Sequence, residues 1–243
     1  SDQRNDPLQR RLRDRGMTTD EQPIDRLRLA DWRRRVSELY AEVRALAARD
    51  PATAREHWAA VREALYRDHS ESPVLPEARA TFRARHFDYD AALRFEVVVE
   101  PDRPTAEPAP TAPAGLGGFA GLAIELPVSA GGSMSFTRIG WLAIPFPAGT
   151  RRLALYWMAG YAGGLFLPFR DATNGTETYG AGRYVLDAAK SADLGGDADR
   201  GTVIVDFNFA FQPSCAFDPK WACPLAPPEN RLDLPVSAGE RLV

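Results

Sequence analysis

The chain is short of the residues that announce many chemistries. It holds two cysteines, three histidines and three methionines in 243 residues. Two cysteines build no disulfide framework. Neither do the histidines and cysteines fall at metal-ligand spacing, so neither a metal nor a cofactor is expected. No apolar run approaches the roughly 18 residues of a membrane span, and no membrane partner is expected. Basic excess is missing too: the net charge is -3, which argues against a nucleic-acid partner. The N-terminus carries no apolar segment of the secretory kind, and cytoplasmic residence is the default expectation. Glycine is scarce in one region alone. Residues 1–104 hold one glycine and 40 charged residues, and residues 105–243 hold 18 glycines and 23 charged residues. The two parts should be built differently.

The front part reads as helix. From Asp31 the apolar positions Trp32, Val36, Leu39, Tyr40, Val43 and Leu46 recur at helical steps. Arg33, Arg34 and Arg35 belong to the solvated face, with acidic partners nearby. Asp50-Pro51 is a helix start, an N-cap followed by proline in the first turn. Trp58, Val61 and Leu65 mark one face of this second helix, which should stop before Pro73. His57 and His69 read as surface or helix-end residues. A polar extension over 1–30 precedes the hairpin of 31–72.

The back part reads as strands. Arg94–Glu100, Gly121–Leu126, Met134–Ile139, Trp141–Phe146, Arg152–Met158, Gly163–Phe169, Arg183–Leu186 and Thr202–Phe207 are short runs rich in branched and aromatic residues. Gly131-Gly132, Gly140 and Asn174-Gly175 punctuate them as turn signals. Residues 101–114 carry five prolines and read as a linker. The segment Gly115–Ala120 mimics a dinucleotide fingerprint but leads into a strand, which is the wrong context. The expected architecture is α+β: an N-terminal helical hairpin packed on an antiparallel β-barrel or β-sandwich, with 31–243 as one domain and 94–243 its β-rich core.

Polar residues of the β part gather in two stretches, 169–184 and 206–230. If a reaction takes place, Asp206 or Asp171 is the candidate general base and Tyr179 the acid. Arg170 and Arg183 suit bidentate contact with a carboxylate or phosphate. Tyr184, Asn208 and Asn230 complete the candidate ligand-binding set. In Asp206-Phe-Asn208-Phe, strand alternation would put the two polar side chains on one face. Cys215 and Cys223 leave three readings open: reduced structural thiols, a disulfide, or redox chemistry.

A family resemblance joins these residues. Phe87-Asp-Tyr89-Asp90 through Phe95, Leu165 through Asp171, Thr178 through Tyr184, Asp206-Phe-Asn208, Pro213 through Phe217, Cys223 through Asn230 and Ala238-Gly239-Glu240 resemble a bacterial and archaeal family. That family is catalogued as domain of unknown function number sixteen-eighty-four. The resemblance extends over roughly 30–241, with Trp32 and Trp58 through Pro73 in its helical part. Phe209, Phe211 and Phe217 stand where relatives are expected to carry tyrosine. No established reaction comes with it. The functional expectation is therefore a pocket for a small polar or anionic molecule, or a non-metal hydrolase or isomerase/cyclase built on it. The alternative is a non-catalytic interaction module that uses the helical hairpin, in a homodimer or with a partner.

Overall fold

The structure is a computed structural model that describes residues 23–101, 122–160 and 163–242. The proline-rich segment from 102, the Gly115–Ala120 segment and most of the polar extension lie outside the described residues. Helix α1 spans Pro23–Ala47 and α2 spans Pro51–Asp68, with a short α3 at Pro76–Arg79. Helix α1 starts before Asp31 because Pro23 and Asp25 supply a first turn of the favoured kind. The two long helices pair in sequence order. Asp50 caps α2 by accepting from the Ala52 and Thr53 amides, both at 3.1 Å. Buried Trp58 donates to the Tyr40 hydroxyl at 3.1 Å, tying α2 to α1.

Among the described residues ten strands follow: β1 (Arg85–His86), β2 (Arg94–Glu100), β3 (Leu122–Pro127), β4 (Ser133–Phe146), β5 (Gly149–Met158), β6 (Gly164–Phe169), β7 (Arg183–Asp187), β8 (Gly196–Asp197), β9 (Thr202–Asp206) and β10 (Glu240–Arg241). All their pairings are antiparallel. The large sheet runs β7-β6-β5-β4-β2-β9-β8, with β3 also on β4, and it curls into a half-barrel. Strands β1 and β10 make a small separate pair. The molecule is therefore α+β, as expected.

Strand β4 is one continuous element where two were expected. A bulge falls at Ile139, next to Gly140, and no turn forms there. Along one edge β4 pairs first with β3, up to Arg138, and then with β2 at Trp141 and Leu142. Against β5 the register shifts between Arg138 and Gly140. One extra residue reverses the alternation of side chains. Phe136 lies on the face that meets the helices, and Leu142 and Ile144 lie on the opposite face. Gly140 has no room for a side chain: a Cβ would stand 2.5 Å from the Glu100 carbonyl oxygen.

The sheet buries both faces. On one face Leu142, Leu153, Leu155, Leu167, Val185 and Val205 pack beneath the C-terminal segment, through Leu232, Leu234, Val236 and Ala238. On the other, Leu126, Phe136, Tyr156, Phe166 and Tyr184 meet Val36, Leu39, Val43 and Trp58 of the hairpin. The helices cover one face and the C-terminal strap covers the other, so layering on both sides completes the domain.

Candidate functional site

The eight residues singled out in the sequence fall into separate environments. Asp206 and Asn208 do not alternate along a strand. Strand β9 ends at Asp206, and Phe207–Phe209 form a 3-10 turn capped by the Asp206 side chain. The turn sends Phe207 into one core and Phe209 into the other. Asn208 is fully buried and its amide is fully used. Its Oδ1 accepts from the Asp90 amide at 2.8 Å, and its Nδ2 donates to the Asp90 carbonyl and to Asp206 Oδ1, each at 2.8 Å. Burial raises the Asp206 carboxyl above its ordinary range, although Asn208 and Arg94, at 3.3 Å, oppose that shift.

Asp171 and Arg183 do come together. Arg183 is fully buried and its nearest Nη2–Oδ1 distance to Asp171 is 3.6 Å. Its stronger partners are main-chain carbonyls of the C-terminal strap: Ala238, Glu240 at 3.1 Å and Val236 at 2.8 Å. Burial lowers the guanidinium to about 10, which leaves it charged at neutral pH. Asp171 accepts the Val236 amide at 2.7 Å and the Thr173 hydroxyl at 2.8 Å. The pair thus clamps the strap onto the β6–β7 loop.

Asn230 is also fully buried. It accepts from the Ala154 amide at 2.7 Å and donates to the carbonyls of Ala154 at 2.9 Å and Pro168 at 2.7 Å. It stands in for a missing strand partner between β5 and β6. Tyr184 donates to the Pro224 carbonyl and packs edge-on against Phe166 and Phe211. Burial holds its hydroxyl well above the ordinary value. The Tyr179 hydroxyl points at the Cys215 carbonyl at 3.5 Å, and burial pushes it up to about 12.

Of the eight, Arg170 lines an open cleft. The cleft, of 460 Å³, lies between β3 and the segment 225–229, with Ala181 on the third side. Ile124, Leu126, Pro127, Leu225 and Pro228 give it apolar walls. Arg170 Nη2 donates to the Gly180 carbonyl at 2.9 Å, and its Nε–H is buried without a hydrogen-bond partner. Arg170 makes no ion pair among the described residues. The two carboxylates at the rim are committed elsewhere. Glu125 accepts from Ser133, at 2.6 Å, and from Ser135; Glu229 accepts from the Tyr156 hydroxyl at 2.8 Å.

Two features escaped the sequence reading. Arg62 and Glu240 form a buried ion pair at 2.6 Å, with the Arg62 guanidinium over the Tyr66 and Phe211 rings. An arginine on an otherwise apolar helix face was the signal available. The Lys190 ammonium is buried without a hydrogen-bond partner, 5.3 Å from the Phe211 ring centre. Burial lowers it, against the pull of Asp187. Lys190 is one of two lysines in a chain otherwise basic through arginine. Among the described residues no group of three or more His, Cys, Asp or Glu side chains is placed to hold a metal. Among them, too, no helix is long and apolar enough to cross a membrane.

No curated protein sequence matches the chain. An uncharacterized protein of Haloarcula marismortui, solved by solution NMR, is 27% identical with a TM-score of 0.52, and the match covers 78% of this chain and 93% of that one. The family model described as "Protein of unknown function (DUF1684)" matches residues 82–241. That stretch begins after the helical hairpin and takes in the strap, the Arg170 cleft and both cysteines. By that match the chain belongs to the DUF1684 family.

Proposed function

We propose that the protein binds a small anionic molecule with an apolar body in the cleft between β3 and residues 225–229. One observation carries the reading: Arg170 is a cation without a carboxylate partner among the described residues, in the wall of a largely apolar cleft whose two carboxylates, Glu125 and Glu229, are held by internal hydrogen bonds. Ligand sites of this size commonly combine apolar walls with a few placed polar groups. A guanidinium with free donors suits a carboxylate or phosphate, which it grips with two parallel hydrogen bonds.

Binding, and not a reaction, is what these side chains support best. The carboxylates of Asp171 and Asp206 are occupied by internal hydrogen bonds, and neither lines the cleft. Thermal-shift titration with octanoate, benzoate and phenyl phosphate tests the reading. At a hundred times Kd a ligand of the folded state adds about 2.7 kcal/mol, a rise of several degrees in Tm. Arg170→Gln should abolish that rise and leave the unliganded Tm within a degree or so. If all three anions fail to shift the wild type, or if Arg170→Gln shifts as the wild type does, the proposal falls.

A further inference from the structure

Cys215 and Cys223 close a loop near the cleft, and neither the cleft nor its ligand accounts for them. Both thiols are free, and each is only 7% exposed. They face one another. The backbone amide of Cys215 donates to Cys223 Sγ at 3.3 Å, and the two thiols are in hydrogen-bonding contact. Three further polar groups lie around the pair. The Tyr179 hydroxyl reaches the Cys215 carbonyl. Ser129 Oγ accepts from the Cys223 amide at 3.0 Å, donates to the Trp221 carbonyl at 2.8 Å and stands beside Cys215. The unpartnered Lys190 ammonium lies close enough to favour the thiolate at both sulfurs. A thiolate in this poorly solvated loop is met by the Cys215 amide, which donates to Cys223 Sγ, and by the unpartnered Lys190 charge.

We infer that Cys215 and Cys223 form a redox-active dithiol, in which Cys215 attacks a small hydroperoxide and Cys223 resolves the product to a disulfide. The Cys215 thiolate takes the terminal oxygen of the peroxide, so an S–O bond forms and the O–O bond breaks. The leaving alkoxide or hydroxide departs with a proton as alcohol or water. The Cys223 sulfur then attacks the sulfenic sulfur, an S–S bond forms, and water leaves. Two thiols are oxidised by two electrons and one hydroperoxide is reduced to an alcohol (or water) plus water. A low-molecular-weight dithiol reverses the change by exchange. The Cys223 thiol donates to Cys215 and holds that sulfur below the ordinary cysteine range, which makes Cys215 the one that ionises first.

The test treats the full chain with hydrogen peroxide and reads the intact mass with a peptide map. The expected product has lost two hydrogens and links the Cys215 and Cys223 peptides. Its rate should rise with pH to a midpoint below the roughly 8.5 of a free cysteine. In Cys223→Ser, dimedone should trap a sulfenic acid on Cys215. In Cys215→Ser, oxidation of Cys223 should be at least about tenfold slower than that of Cys215 in wild type. Wild type that keeps both thiols free, or gains oxygen without an S–S bond, overturns the proposal. Dimedone labelling of Cys223 in Cys215→Ser at the rate seen for Cys215 overturns the assignment of the nucleophile. The wild-type measurement decides the matter even if a serine variant fails to fold.

Discussion

Single polar side chains do much of the joining in this fold. Asn208, Asn230 and Arg183 are each fully buried, and each binds main-chain groups of a segment distant in sequence. A buried side-chain amide is favourable only where its donors and acceptors are met, and these are. Asn230 is the clearest case, since it pairs with both main-chain groups of Ala154 and with the Pro168 carbonyl. Asn230→Ala leaves one amide and two carbonyls without partners in the interior. The expected loss is roughly 3 kcal/mol, read from the denaturant midpoint at unchanged m-value. Asn230→Asp should also destabilise, because it replaces two donors with an acceptor facing carbonyls. Such roles are hard to see in a sequence. Asn and Asp beside aromatic residues look the same whether they face a ligand or a neighbouring loop. The polar cluster of the β part was legible as a cluster, and its partners were not.

At the level of elements, local chemistry specifies most starts and stops. Asp50-Pro51 starts α2, and the observed β2 bounds are those its apolar run predicts. Glycine is where the local signal divides. Gly131 and Gly132, with φ of +87° and +84°, form the β3–β4 turn that their pairing predicts. Gly140 instead sits inside β4, where β2 approaches too closely for any side chain. A glycine in a strand pattern has these two readings, turn or close approach, and only the neighbouring strand separates them. Gly140→Ala places a methyl against the Glu100 carbonyl and should cost at least about 2 kcal/mol. Thermal unfolding measures it, and a loss below half a kcal/mol would show that β2 can move away. The turn signal at Asn174-Gly175 is likewise part of a longer connection. Gly175 has a φ of +82°, but the connection runs from Arg170 to Gly182 and is held by Thr173, Asn174 and Thr178.

Across the molecule, the two covers of the sheet meet at one buried polar junction. Glu240 of β10 pairs with Arg62 of α2, accepts the Gln212 amide at 2.8 Å, and lies opposite His86 in the β1–β10 register. Helices, strap and sheet are thus tied at a point where charge is costly to change. Burial lowers His86 from 6.5 to about 4, so the folded protein holds it neutral. An unfolded chain takes up that proton near pH 6.5. Stability from this residue is therefore present above pH 6.5 and is lost as pH falls towards 4, by at most about 3 kcal/mol. Glu240, held below its ordinary range by Arg62, loses stability in the same direction at still lower pH. A series of Tm values from pH 7 to pH 4 should fall in wild type, and His86→Gln should flatten the decline between pH 6.5 and 4.5. A variant that declines as steeply as wild type would remove His86 from the account.

By itself the sequence determined what depends on near neighbours along the chain. It separated a glycine-poor helical front from a glycine-rich antiparallel part, because backbone propensity and side-chain period are local properties. It also carried the family resemblance, which is a property of residue order. Only the tertiary structure decided what depends on residues far apart. The bulge beside Gly140 needed β5, and the lack of room for a side chain there needed β2. The fate of Asp206 and Asn208 needed Asp90, and that of Arg183 needed the strap. Lys190 and Arg62, unremarkable in order, became buried charges once the hairpin closed over the sheet. The cleft beside Arg170 arises in the same way, from β3 and residues 225–229 brought together across about a hundred positions by pairing of Pro127 with Leu225. Hydrogen-bond satisfaction and burial are properties of the assembled interior, and they sort a polar residue into clamp, cation or ligand group only after the chain has folded.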